Sequence, residues 1–252
     1  GVCELLFSIS ASNESNIRHL MAHTPKLMSM SMISQLPQRA TIECLQRFNH
    51  LTSLRLYFYD RVENDVSKLG TLLEGITCPS LLHFISHSPS MHLAPRNLQV
   101  FAPKLLELIL YSFKIPTEVS PDGKSENDTT WFATLPPRLR TLRIHSAPAF
   151  PSTEALLQLR RQCPWLTTMK LGVPAPLSAD HFGANLEALP QTLHILELVY
   201  GTTNPDPAIQ ALLPAKQPDE VLPEDMGRYL PKNLREFNFS GLEIRTDDRA
   251  WK

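Results

Sequence analysis

Large apolar residues recur along this chain in a six-residue phrase, apolar at its first, fourth and sixth positions. The clearest copies are Leu51-x-x-Leu54-x-Leu56, Leu105-x-x-Leu108-x-Leu110, Leu139-x-x-Leu142-x-Ile144 and Leu193-x-x-Leu196-x-Leu198. Looser copies are Leu27-x-x-Met30-x-Met32, Leu166-x-x-Met169-x-Leu171 and Leu234-x-x-Phe237-x-Phe239, with a weak one at Leu81-x-x-Phe84-x-Ser86. From its third position on, the phrase alternates between polar and apolar, the period of a half-buried β-strand. First residues fall at 27, 51, 81, 105, 139, 166, 193 and 234, so the steps run from 24 to 41 residues. Most of these steps are the length of one strand plus one helix or turn, the unit of a solenoid.

Other segments read as helices between the strands. Ser152-Thr153-Glu154 supplies capping oxygens, and Ala155, Leu156, Leu159 and Cys163 follow near helical spacing. Amphipathic runs at Arg39 to Phe48, Asp65 to Ile76 and Ala179 to Leu189 precede other strands in the same way. Pro25, Pro79, Pro103, Pro137, Pro164, Pro190 and Pro231 stand just before the phrases, where a residue without an N–H stops a helix. Burying the three large side chains of one phrase is worth roughly 1.5–3 kcal/mol each. One coil cannot hold itself against its chain entropy on that; stacked coils can.

The pattern predicts an α/β solenoid of about eight repeats, with a parallel concave sheet and outer helices or turns. A partial ninth repeat is expected around Val2-x-x-Leu5-x-Phe7. Leu98-x-x-Phe101 lies seven residues before Leu105, too close for both to head separate coils, and Leu105 is taken as the head. Residues 1–252 are expected to form a single domain, read as a piece of a longer chain because it starts Gly1-Val2-Cys3-Glu4 without methionine. Two insertions interrupt the rhythm, a polar one at 116–130 and a proline-rich one at 202–224.

Composition narrows the setting. With 24 Lys and Arg against 25 Asp and Glu, the net charge is −1, so no global field draws the chain to nucleic acid or anionic membranes. No run of eighteen or more apolar residues suggests a membrane span. Cys78 and Cys163 occupy matching Cys-Pro-x-Leu phrases, which makes them small core fillers rather than disulfide partners. An intracellular protein, cytoplasmic or nuclear, is the expectation, although sequons at Asn13, Asn127 and Asn238 would permit secretion.

These phrases resemble irregular leucine-rich repeat proteins of the F-box-associated type, and Leu135-Pro136-Pro137-Arg138-Leu139, Leu189-Pro190-Gln191-Thr192-Leu193 and Leu230-Pro231-Lys232-Asn233-Leu234 are also similar to the Leu-Pro-x-x-Leu repeats of some protist and bacterial leucine-rich proteins. The likeness runs from about Val2 to Ile244 and implies a non-catalytic protein-recognition scaffold, with a ubiquitin-ligase substrate receptor as its setting. One departure is plain. Three residues after the last strand leucine the family commonly has Asn or Cys; here stand Gln35, Tyr59, Pro89, Phe113, Ala147, Pro174, Gly201 and Leu242. No F-box motif lies in the chain. Two alternatives stay open: a structural or assembly scaffold whose concave face binds nothing specific, and a regulator of an enzyme such as a GTPase, against which the missing Asn column counts.

If the leucines point into the core, the residues between them line the concave face. In the middle coils those positions hold Arg55, Tyr57, His83, His87, Tyr111, Arg143, His145 and Lys170. Tyr and Arg dominate many protein interfaces, and a basic, aromatic patch suits an acidic or phosphorylated peptide or protein surface. Metal binding is not expected, since His83 and His87 on one strand would stand about 13 Å apart. No nucleophile elbow, phosphate loop or His-Glu-x-x-His motif is present, so neither an enzyme nor a cofactor is expected. Arg55, Arg143 and Lys170 are too few, beside Glu107 and Glu197, for a nucleic-acid surface.

Overall fold

In the computed structural model of the protein, the residues described are 4–9, 23–24, 26–34, 49–58, 76–87, 95–111, 131–145, 150–173, 179–200 and 229–239. They form nine strands: β1 Glu4–Ile9, β2 Ser29–Ser34, β3 Ser53–Phe58, β4 His83–His87, β5 Glu107–Leu110, β6 Thr141–Ile144, β7 Thr168–Val173, β8 Ile195–Tyr200 and β9 Glu236–Phe239. All pair in parallel and in chain order, so each strand lies beside the next one in sequence. A parallel neighbour requires a crossover, and three helices are described in the crossovers: α1 Pro95–Phe101, α2 Thr153–Gln162 and α3 Ala179–Ala188. The expected eight strands are all present, and the partial ninth phrase forms β1 in full register with β2.

The leucine phrase works as its spacing implies. Leu54, Leu108, Leu142 and Leu196 are fully buried, as are the phrase heads Leu51, Leu105, Leu139 and Leu193. They join one apolar core running from Leu27 to Phe237, which Leu98, Phe101, Leu156, Leu159 and Leu186 enter from the helical side. The weak phrase also forms its strand. Ser86 takes the inward slot at 2% exposure, and its carbonyl accepts the N–H of Tyr111 at 3.0 Å. The repeat geometry makes the chain an α/β leucine-rich-repeat solenoid.

Helix α2 starts as its sequence predicts. Ser152 is the cap, accepting the Ala155 N–H at 3.2 Å, and Glu154, Arg160 and Arg161 match the helix dipole. The Cys163 N–H closes the other end on the Leu159 carbonyl at 2.8 Å. Helix α1 is a feature that the phrase pattern concealed. Leu98-x-x-Phe101 imitates the first half of a strand phrase, yet the pair faces the core from a helix, where residues three apart share a side. Phe101 meets Phe84 edge to face, with ring centroids 5.3 Å apart. Ile76 is buried and lies outside any described helix; the rest of the expected Asp65 to Ile76 run, the Arg39 to Phe48 run and both insertions lie outside the described residues.

The prolines before the strands do more than end helices. From Leu81 on, the N–H of each phrase head donates to the carbonyl three residues earlier: Leu81 to Cys78, Leu105 to Ala102, Leu139 to Pro136, Leu166 to Cys163, Leu193 to Pro190 and Leu234 to Pro231. Each is a β-turn, and Pro79, Pro103, Pro137 and Pro164 hold its second position, where proline presets φ. Pro190 and Pro231 sit one place earlier, at the first position. Neighbouring coils are then pinned by shared carbonyls. Met28, Thr52, Leu82, Leu106, Arg140, Thr167 and His194 each accept two successive N–H groups from the next coil, at 2.8–3.1 Å.

Side chains strengthen this edge. The Thr52 and Thr167 hydroxyls donate to the Met28 and Arg140 carbonyls at 3.0 and 3.2 Å. Thr192 donates to the Leu166 carbonyl at 2.7 Å, Gln162 to Leu135 at 2.7 Å and Asn233 to Gln191 at 3.0 Å. Bridges from one coil to the next are the service an Asn column gives, here supplied by scattered Thr, Gln and Asn. Cys78 and Cys163 are buried, free thiols; burial pushes both up to about 12.

Candidate functional site

Because the strands pair without a slip, side chains on the open face of the sheet fall into rows that cross it. One row reads Ser53, His83, Glu107, Thr141, Thr168; the next reads Arg55, Ile85, Ile109, Arg143, Lys170, Glu197. In the third, Tyr57 and His87 are paired across β3 and β4, and Tyr111 and His145 directly follow β5 and β6. These are the positions that strand alternation predicts. All eight candidate residues stand on this face, in five adjacent coils.

The third row is a stack. Ring centroids are 5.9 Å apart for Tyr57 and His87, 4.9 Å for His87 and Tyr111, and 4.3 Å for Tyr111 and His145. Tyr111 and His145 lie within 3° of parallel. Strands are about 4.8 Å apart, so consecutive rings meet at contact distance without adjustment of the backbone. The stack ends at Gly172, the next residue of the row. A Cβ there would come 1.8 Å from the His145 carbonyl oxygen, so only glycine admits the close approach of the two backbones.

Charges on the face divide into two groups. His83 Nδ1 lies 3.1 Å from Glu107 Oε2, and Lys170 Nζ lies 2.6 Å from Glu197 Oε1. Both basic side chains therefore have a carboxylate partner. Arg55 and Arg143 are exposed, and among the described residues no carboxylate pairs with either. They stand three strands apart, about 14 Å at the usual strand spacing. Between them lie Ile85, half-buried, and Ile109, which is only 8% exposed although it is on the open face. Two unpaired guanidinium groups therefore flank a small apolar saddle, with the aromatic stack along one side.

His145 is held below the ordinary histidine value. Burial is the main cause, with Lys170, Arg143 and His87 adding to it and Glu197 opposing. The shift favours the neutral form of the ring that stacks on Tyr111, beside the cations of Lys170 and Arg143. Among the described residues no group of three or more His, Cys, Asp or Glu could hold a metal ion. No described helix is long and apolar enough to cross a membrane.

Strand alternation from one phrase to the next puts Lys170 beside Glu197 and His83 beside Glu107 in a row, and that adjacency is the signal for both pairs. What the rows did not carry is the degree to which Ile109 sinks between its neighbours.

No protein-family model matches the chain, and no curated protein matches it. Among solved structures, the chain is similar to the leucine-rich repeat-containing protein LegL7 from Legionella pneumophila, at 11% identity and a TM-score of 0.41. The likeness covers 93% of this chain and 90% of that one.

Proposed function

We propose that the chain is a protein-recognition scaffold whose open, concave face binds a peptide or protein surface bearing acidic or phosphorylated groups. The observation that carries this reading is the pair of unpaired arginines, Arg55 and Arg143, on either side of Ile85 and Ile109. An extended peptide repeats its side chains on one side about every 6.8 Å. Running across the strands, it can set an apolar residue on the saddle and an anionic group two residues away in each direction, one on each arginine. Bidentate arginine contacts to carboxylate or phosphate supply direction as well as affinity, and Tyr57 and Tyr111 supply rigid contact area. Binding rather than catalysis is the activity proposed, with no cofactor.

The biological setting proposed is a substrate receptor of a ubiquitin ligase inside the cell, on the strength of the family resemblance. The test compares partners captured by the wild-type chain and by an Arg55→Glu/Tyr111→Ala/Arg143→Glu variant whose fold is verified by circular dichroism. Loss of specific partners from the variant supports the open face, and ligase subunits among them support the setting. An unchanged partner set would remove the open-face reading. If the wild type captures nothing, the structural scaffold becomes the better account.

A further inference from the structure

The edge of the sheet at which the strands begin has a charge pattern that the chain's near-zero net charge conceals. It is built from the turns before each strand and the residue between phrase head and strand. Its described positions from β2 to β9 contain Lys26, Lys104, Arg138, Arg140, Lys232 and Arg235, all exposed, together with His50 and His194. They contain no Asp or Glu. Among the described residues none of the six Lys and Arg has a carboxylate partner. On β2 to β9, Glu107 and Glu236 head their strands, and they face His83 and the Asn238 amide on the open side.

Trp165 stands in the middle of this edge. It occupies the third position of the turn Cys163-Pro164-Trp165-Leu166 and is 66% exposed, more than any other large hydrophobic residue described. The equivalent positions in neighbouring coils hold Ser80, Lys104, Arg138, Thr192 and Asn233. Trp165 therefore projects from a column that is otherwise polar, with the cations of the two preceding coils beside it.

We infer that this edge docks on an anionic lipid surface. In-register strands bring the turn tips to one side of the sheet, and eight successive coils at about 4.8 Å give an edge some 34 Å long. The six tips from Leu81 to Leu234 are fixed by their own i to i+3 hydrogen bonds, four of them with proline at the second position. Basic side chains on such an edge meet the negative surface potential together, and an exposed indole suits the headgroup layer, where its apolar body and its N–H are both accommodated. Single-stranded nucleic acid fits less well. It is held by a basic groove with aromatic residues for successive bases, and this edge offers projecting turns and one indole. The inference is independent of the open face.

The test is co-sedimentation of the intact chain with vesicles of phosphatidylcholine alone and of equal parts phosphatidylcholine and phosphatidylserine. The wild type is expected to pellet only with the anionic vesicles, and to be released as salt is raised. Lys104→Glu/Arg138→Glu/Arg140→Glu should weaken that binding on the order of a hundredfold or more, and Trp165→Ser should weaken it severalfold. Because charge reversal could disturb folding, Lys104→Gln/Arg138→Gln/Arg140→Gln with an unchanged melting temperature serves as the second variant and should also lose binding. Arg55→Glu/Arg143→Glu, on the other face, should bind as the wild type does. Equal binding to both vesicle types, or full binding by the two triple variants, would overturn the inference. So would binding to a single-stranded oligonucleotide or an acidic peptide that is lost with the same substitutions while the vesicles stay unbound.

Discussion

The edge where the strands begin and the edge where they end are built differently. At the leading edge the coils of β4 to β8 use one device: a β-turn closed on the phrase head, then a carbonyl shared by two N–H groups of the next coil. At the trailing edge the third row changes from coil to coil, through Tyr57, His87, Tyr111, His145, Gly172 and Val199. The first pattern repeats because every coil must meet its neighbour at the same spacing. The second is free to vary because open-face side chains do not set that spacing. Periodic positions therefore hold the solenoid together, and the non-periodic ones carry what distinguishes this protein from any other stack of coils.

Substitutions can break or sharpen that contrast. The largest effect belongs to the common core. Phe84→Ala empties a fully buried site against Phe101 and should cost about 3–5 kcal/mol in denaturant unfolding, with the open-face rows otherwise unaltered. Next is Gly172→Ala at the trailing edge. Its new methyl must displace the His145 backbone, so a loss of about 1–3 kcal/mol is expected. The same change should shift the Tyr111 ring resonances in NMR, because His145 stacks on that ring. At the leading edge, Thr192→Val removes one bridge to the Leu166 carbonyl and should cost about 0.5–1.5 kcal/mol, leaving those resonances in place. A trailing-edge substitution with no effect on the stack, or a leading-edge one that disturbs it, would erase the distinction.

The smallest effect is a dependence on pH. His145 has a folded value below its unfolded one, so on acidification the unfolded chain takes up that proton first. Its contribution to stability is complete above the ordinary value of 6.5 and is lost as pH falls from there through the lowered folded value. His145→Asn should flatten the stability profile in that window. Lys170→Met should move the His145 titration upward in NMR, since it removes a cation that lowers the value and frees Glu197, which raises it.

Much of this was legible in the sequence, and the exceptions have physical reasons. Alternation gives the strands and the open-face rows because a strand has a period of two and the sheet has no slip; even Leu81-x-x-Phe84-x-Ser86 obeys it. Helix α1 was hidden because it spans seven residues and its core pair copies the leucine spacing. The prolines were read as helix stops, whereas the hydrogen bonds reveal turns in which Pro164 and Pro190 hold different positions. The basic leading edge was missed because net charge averages over faces. Aligning the residues around each phrase head would have exposed it: Lys104, Arg138 and Trp165 fall in one column.

The central claim is that recognition occurs on the open face, and site-specific photocrosslinking addresses it most directly. Tyr111 on that face and Leu157 on the outer surface of α2 are almost equally exposed, at 38% and 36%, so a photoreactive phenylalanine analogue at either position is equally accessible. In cell extract the account predicts a discrete partner adduct from position 111 that is lost with Arg55→Glu/Arg143→Glu, and none from position 157. An adduct from position 157 alone, or the same adduct from both positions regardless of the arginines, would contradict it.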